Sequence, residues 1–177
     1  MRLMPAFWML CVLVFSGCQS VPPDVSPGAL AIASEWKLTG KLGVKTPERS
    51  GNFAFDWQQT GEQFDIALRG PLGMQIAHIY GHQQRSYLDI PDQQGLQATS
   101  PDELAALALG YSLPVSPMRY WVRGIPDPRQ RAAPIEGGFR QSGWKILRLK
   151  ENATGPLKIE ISRPEVRLLV IAKRWSY

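Results

Sequence analysis

The most constraining feature of this chain is an aromatic-rich alternation of period two. Phe53, Phe55 and Trp57 alternate with Asn52, Ala54, Asp56 and Gln58. After Thr60-Gly61 the pattern resumes, with Phe64, Ile66 and Leu68 set against Asp65 and Arg69. Successive strand side chains point to opposite faces, so this spacing predicts a hairpin with one buried and one wet face. Upstream, Trp36, Leu38, Leu42 and Val44 share one parity with Gly40, while Lys37, Thr39, Lys41 and Lys45 share the other. A third strand is predicted there.

Similar patterns predict strands at Met74–Tyr80, Arg85–Ile90, Leu96–Thr99, Trp144–Lys150, Leu157–Ser162 and Val166–Lys173, with turns at Gly81-His82 and Pro91-Asp92. Two short helices interrupt them. Ser100-Pro101-Asp102-Glu103 joins an N-cap, a first-position proline and a capping-box glutamate, and Gly110 ends that helix. Ser116-Pro117-Met118-Arg119 repeats the start signal, and Gly124-Ile125-Pro126 is the stop. Ala29–Ser34 carries a weaker helical signal. The expected fold class is mainly β: a meandering antiparallel sheet that closes or is covered on its apolar face. Two short helices cover little of it, which leaves a concavity of the kind where ligands bind.

The N-terminus has a different character. One positive charge at Arg2 precedes the apolar run Pro5–Phe15, followed by Ser16-Gly17-Cys18. This is the layout of a secretory signal peptide, and the run is too short to span a bilayer. Phe15-Ser16-Gly17-Cys18 resembles the bacterial lipobox, which implies cleavage after Gly17 and acylation of Cys18. Gln19, where an Asp would imply inner-membrane retention, implies the outer membrane. The expected organisation is a signal peptide over 1–17, a lipidated Cys and Pro-rich tether over 18–28, and one domain over 29–177. Cys11 and Cys18 are the chain's two cysteines, so the body has no internal disulfide and no cysteine metal site.

Catalytic signatures are missing. The chain lacks G-x-S-x-G, the phosphate-binding loop, G-x-G-x-x-G and H-E-x-x-H. His78 and His82 fall on a predicted strand and turn, not on one helix face. No enzyme activity, metal or cofactor is expected. The net charge of +5 does not make an exported chain a nucleic-acid binder. Lys145, Arg148, Lys150, Arg163, Arg167, Lys173 and Arg174 alternate along strands, either as a solvated face or as one that attracts anionic lipid or an acidic protein.

Several motifs in order carry a family resemblance. They are Trp57-Gln58-Gln59-Thr60-Gly61, then Gly70-Pro71-Leu72-Gly73, then Arg119-Tyr120-Trp121-Val122-Arg123-Gly124-Ile125-Pro126, and Ala172-Lys173-Arg174-Trp175 at the end. Together they resemble the LolB family of outer-membrane receptors in the lipoprotein-localisation pathway. The resemblance implies an open antiparallel half-barrel with a lid of short α-helices. It implies a monomer that accepts acylated lipoproteins from a related soluble periplasmic carrier and inserts them among outer-membrane phospholipids. Trp36, Leu38, Phe53, Phe55, Trp57, Phe64, Ile66 and Leu68 are the candidate wall of an acyl-chain cavity, the alternative being that they fill a closed core. The lid residues would be Leu104, Leu107 and Trp121, and the membrane-insertion loop would hold Pro71 and Leu72. The competing readings are a lipid-anchored module for free lipid or another apolar ligand, and an assembly scaffold.

Overall fold

The computed structural model describes residues 33–109 and 113–177. The expected leader, Cys18, the tether and most of the weak helical segment lie outside the described residues. Eleven strands form one antiparallel sheet: β1 (Glu35–Lys45), β2 (Ser50–Thr60), β3 (Gln63–Arg69), β4 (Gln75–His82), β5 (Arg85–Asp89), β6 (Leu96–Ala98), β7 (Ala132–Ile135), β8 (Gly138–Gln141), β9 (Trp144–Asn152), β10 (Gly155–Arg163) and β11 (Val166–Ser176). Their spatial order is β6-β5-β4-β3-β2-β1-β11-β10-β9-β8-β7. Every neighbour is sequential except β1 against β11, which joins the two meanders at the centre. Strands β6 and β7 remain edges, so the sheet is open rather than a closed barrel.

The predicted parity holds along the central strands. Trp36 and Leu38 of β1, Phe55 and Trp57 of β2, Phe64 and Ile66 of β3, and Val166, Leu168 and Val170 of β11 all enter one core. The opposite parity faces outward. At the middle of β1 the backbones of β1 and β11 come very close. A Cβ on Gly40 would lie 2.5 Å from the Ile171 carbonyl oxygen and 3.0 Å from the Phe55 ring. The β1–β11 register shifts at this point, between Thr39 and Gly40. That local irregularity bends the strand and adds twist.

The structure corrects three local expectations. The β4–β5 turn is Gln83-Gln84, not Gly81-His82, because His82 pairs with Arg85. Gly81 lies inside β4 with φ +133, and a Cβ there would meet the Arg85 carbonyl oxygen at 2.2 Å. The glycine therefore serves a close strand approach rather than a turn. Second, β7 and β8 form a hairpin for which no strands were expected. Third, the second helix has no cap at Ser116.

The helices are α1 (Pro101–Leu109) and α2 (Val115–Trp121). The cap of α1 keeps one arm of the predicted box: the Glu103 amide donates to Ser100 Oγ at 3.1 Å, while Glu103 Oε2 accepts the amide of Thr99, one residue before the N-cap, at 2.8 Å. In α2, Pro114 occupies the N-cap without a side-chain cap. The Ser116 amide instead donates to Asp102 Oδ1 of α1 at 2.7 Å. A carboxylate at a helix N-terminus complements both the unpaired amides and the dipole. One helix thus caps the next.

Candidate functional site: the concave face and its cover

The inner face of the sheet gathers the aromatic residues singled out in the sequence. Trp36 is 2% exposed and packs against Trp57 at 5.1 Å between ring centroids and against Trp175 at 5.6 Å. Edge-on and tilted contacts of this kind suit the ring quadrupoles. Two of these indoles donate hydrogen bonds: Trp57 Nε1 to Gln59 Oε1 on the same strand at 3.0 Å, and Trp175 Nε1 to the Pro156 carbonyl of β10 at 2.8 Å. Leu38, Phe55, Phe64 and Ile66 are buried in the same cluster. Phe53 and Leu68, at the far ends of β2 and β3, are only half-buried.

The cover comes from α2 and the segment after it. Trp121 is fully buried, with Leu113 and Val122 beside it. Its ring centroid lies 6.2 Å from that of Trp144 on β9. Of the other expected lid residues, Leu104 is buried, but in a separate small cluster with Ala77, Leu88 and Ala98 beneath α1. Leu107 is exposed, so it does not face the sheet. Helix α1 therefore covers the β4–β6 end of the concave face, while Trp121 of α2 packs on β8 and β9.

A polar anchor that the sequence did not disclose holds this cover down. Gln141 of β8 is buried, and its Oε1 accepts both Trp121 Nε1 at 2.7 Å and the Asp127 amide at 2.9 Å. Its Nε2 donates to the carbonyls of Asp127 and Gln130, each at 2.8 Å. One amide side chain uses all its donors and acceptors to tie α2, the 127–130 turn and β8 together. Asp127 is itself fully buried, and Arg129 grips its carboxylate through Nε at 3.0 Å and Nη2 at 2.7 Å. Burial opposes the charge, but the bonds from the Arg129 side chain and amide outweigh it and hold the carboxyl below the usual aspartate range.

At the end of the sheet where β1 begins, two arginines meet the aromatic cluster. Arg123 donates from Nε to the Arg119 carbonyl at 2.9 Å and from Nη1 to the Ala33 carbonyl at 3.0 Å, and its guanidinium lies over Trp36 and Tyr120. Burial, with Arg119 nearby, lowers its pKa from the ordinary arginine value. Arg119 reaches the Gly61 carbonyl at 3.3 Å and Glu62 at 3.6 Å. Between these groups lies a recess of about 350 Å³, lined by Trp36, Tyr120, Gln59 and Glu62 among others.

The turn between β3 and β4 stands apart from this core. Pro71–Gly73 form a single 3-10 turn, and Leu72 is 99% exposed with φ 63. A bulky residue in the left-handed region carries strain. Here it presents a large apolar side chain to the surroundings, beside the exposed Met74. Pro71 is exposed too.

Among the described residues, no helix is long and apolar enough to cross a membrane. His78 and His82 both lie on β4, with His78 against Asp65 at 3.1 Å and His82 against Gln84 at 2.9 Å.

Comparison with known proteins gives this geometry a family. A structure of a DUF1329 family protein from Desulfovibrio piger superposes with a TM-score of 0.51 at 7% identity, over 84% of this chain and 87% of that one. That likeness concerns the fold alone. An outer-membrane lipoprotein LolB from Thiobacillus denitrificans is 34% identical over 90% of each chain. Another from Stutzerimonas stutzeri is 30% identical over 93% of this chain and 91% of its own. The family model described as outer membrane lipoprotein LolB matches residues 34–175, the whole stretch from the start of β1 to Trp175. The chain belongs to the LolB family.

Proposed function

We propose that this protein is an outer-membrane lipoprotein receptor, which takes acylated lipoproteins from a soluble periplasmic carrier and passes them into the outer membrane. The observation that carries this reading is an aromatic concave face covered by a short helix, in a chain of the LolB family. Acyl chains in water carry a large hydrophobic cost, so a relay must keep them covered at every step. Trp36, Leu38, Phe53, Phe55, Trp57, Phe64, Ile66 and Leu68 form the wall that receives them. The chains enter as α2, carrying Trp121, moves off the sheet. The exposed apolar tip at Pro71-Leu72 then touches the bilayer during delivery. Cys18 is the acylated mature N-terminus, residues 18–28 are the tether, and the domain over 29–177 works as a monomer.

Direction needs no nucleotide. Each tenfold gain in affinity corresponds to about 1.4 kcal/mol. A cavity slightly better for acyl chains than the carrier's, with the bilayer better still, moves cargo downhill.

The test is transfer itself. Carrier loaded with a triacylated lipoprotein is mixed with this protein, and cargo is followed by pull-down of each partner. Handover supports the receptor. Uptake of free lipid without handover would make it a lipid-binding module instead. Mass spectrometry of the membrane-extracted protein checks the anchor; an unmodified Cys18, or a mature chain starting elsewhere, would overturn that part.

A further inference from the structure

The outward face of the sheet divides into two halves of different charge. Across β1, β11, β10 and β9 the register lines up three transverse rows. The first places Lys41, Ile171, Lys158 and Lys150 side by side. The second holds Gly43, Leu169, Glu160 and Leu147, and the third Lys45, Arg167, Ser162 and Lys145. Lys41, Lys45 and Lys150 are exposed, and Lys145 and Lys158 are half-buried. Glu160 is the one acid in these rows, and it is ion-paired with Arg167. The five lysines therefore stand as excess positive charge on either side of a row that holds two half-buried leucines and the ion-paired Glu160. The other half differs: the outward parity of β2, β3 and β5 carries Asp56, Asp65 and Asp89 against Arg85 and Arg69, and Arg69 is ion-paired with Asp56.

The lysine face lies at one particular end of the molecule. Its first row continues from Lys41 across Ala54 to Arg69, the last residue of β3. The Leu72 turn begins just beyond Arg69, so the second and third rows lie at the same end of the sheet as that tip. Adjacent strands are ~4.8 Å apart, which puts β1 about 10 Å from β3. Chain entry at Glu35 is at the opposite end of β1. The segment from Cys18 to Glu35 can reach at most ~60 Å, against ~36 Å for the length of β1. An anchor at Cys18 thus permits the Leu72 end to meet the bilayer that holds the anchor.

We propose that this lysine face is a docking surface for an anionic phospholipid bilayer, which orients the domain so that Leu72 meets the membrane. The proposal rests on the outer-membrane reading above. Excess lysines beside two half-buried leucines suit the surface of an anionic bilayer, where the basic charge supplies the attraction. Lysine is depleted from protein–protein interfaces, so an acidic protein partner fits the composition less well. Continuity with an exposed leucine and methionine also favours lipid.

The test uses the full mature chain with Cys18→Ala, so that no acyl anchor masks weak binding. It is sedimented with vesicles of phosphatidylcholine alone, or of phosphatidylcholine with roughly one third phosphatidylglycerol. The chain binds the anionic vesicles, and binding falls as salt rises. Lys41→Gln, Lys45→Gln and Lys158→Gln each weaken partition about five-fold, from the contribution of one near-surface lysine. Lys37→Gln, the same charge change at the far end of β1, leaves it nearly unchanged. All these side chains face outward, and thermal unfolding confirms that the variants are folded. Equal binding to both vesicle types, or unchanged binding by the triple lysine variant, overturns the proposal. So does a triple variant that keeps vesicle binding but loses uptake from the carrier, since the face would then belong to an acidic protein. A chain that binds anionic vesicles through these lysines yet takes no cargo supports the surface and overturns the receptor reading alone.

Discussion

Trp121 Nε1 donates to Gln141 Oε1 at 2.7 Å, across twenty positions of sequence, and both residues are buried. The bond links the last residue of α2 to β8. It also connects the cover to Asp127 and Gln130 through the same glutamine.

Replacing Gln141 by Leu leaves Trp121 Nε1, the Asp127 amide and two carbonyls without their partner. A buried group left unpaired costs about 1–3 kcal/mol, and some of these groups can regain water once the turn loosens. The expected net loss is on the order of 3 kcal/mol, read as a lower urea midpoint. The same variant takes up an apolar fluorescent probe faster than the parent chain, because α2 is held less firmly. Unchanged stability would show that the glutamine is not an anchor.

The wall residues predict a separation between uptake and folding. Trp57→Asp puts a charge on the concave face and weakens displacement of a bound probe by acylated peptide. The outward substitution Gln58→Asp on the same strand does not. Both variants are compared by probe titration after circular dichroism has confirmed the sheet. If Trp57→Asp unfolds the chain, Phe53→Asp, at a half-buried position, keeps the comparison available.

Leu72→Asp should leave thermal stability unchanged, since the side chain touches almost nothing. Burying one leucine in lipid contributes only about 1.5–3 kcal/mol, enough for transient contact and too little for anchoring. Carrier-to-receptor transfer therefore proceeds normally, and receptor-to-liposome transfer slows. The two steps are timed separately. A defect in the first step, or none in the second, contradicts the assigned role of the loop.

The buried Asp127–Arg129 pair predicts how the cover responds to acid. The folded pKa of Asp127 lies below its unfolded value near 3.9. Its pairing therefore stabilises the fold above that pH, and the contribution is lost as pH falls through the folded pKa. Arg129→Met strands a buried carboxylate and should cost on the order of 3 kcal/mol at pH 7. The deficit narrows as pH falls through the depressed folded pKa, where the parent chain protonates the same carboxylate. Urea melts of both proteins at pH 7 and pH 3 read this directly.

Much of the architecture was legible from local chemistry. Period-two aromatic alternation specified β1, β2, β3 and their inward faces, because a strand offers only two faces and only one can be buried. Ser100 and Glu103 specified the start of α1, because a helix cap depends on neighbours within a few residues. Strands β7 and β8 were not legible: Ala132-Ala133-Pro134-Ile135 lacks alternation, and its pairing depends on the neighbouring β8. The cap of α2 by Asp102 of the preceding helix was equally hidden. So was Gly81, whose role depends on the closeness of the Arg85 backbone rather than on a turn. The role of Gln141 depends on four groups from α2 and the 127–130 turn meeting at one point. The pairing of β1 with β11, which sets the row of lysines beside the level of Leu72, joins the two ends of the described chain. Alternation along one strand shows which of its side chains turn inward, because the two faces follow from neighbouring residues. Which strands share a surface follows from the register between distant segments, and that register is set by the whole sheet.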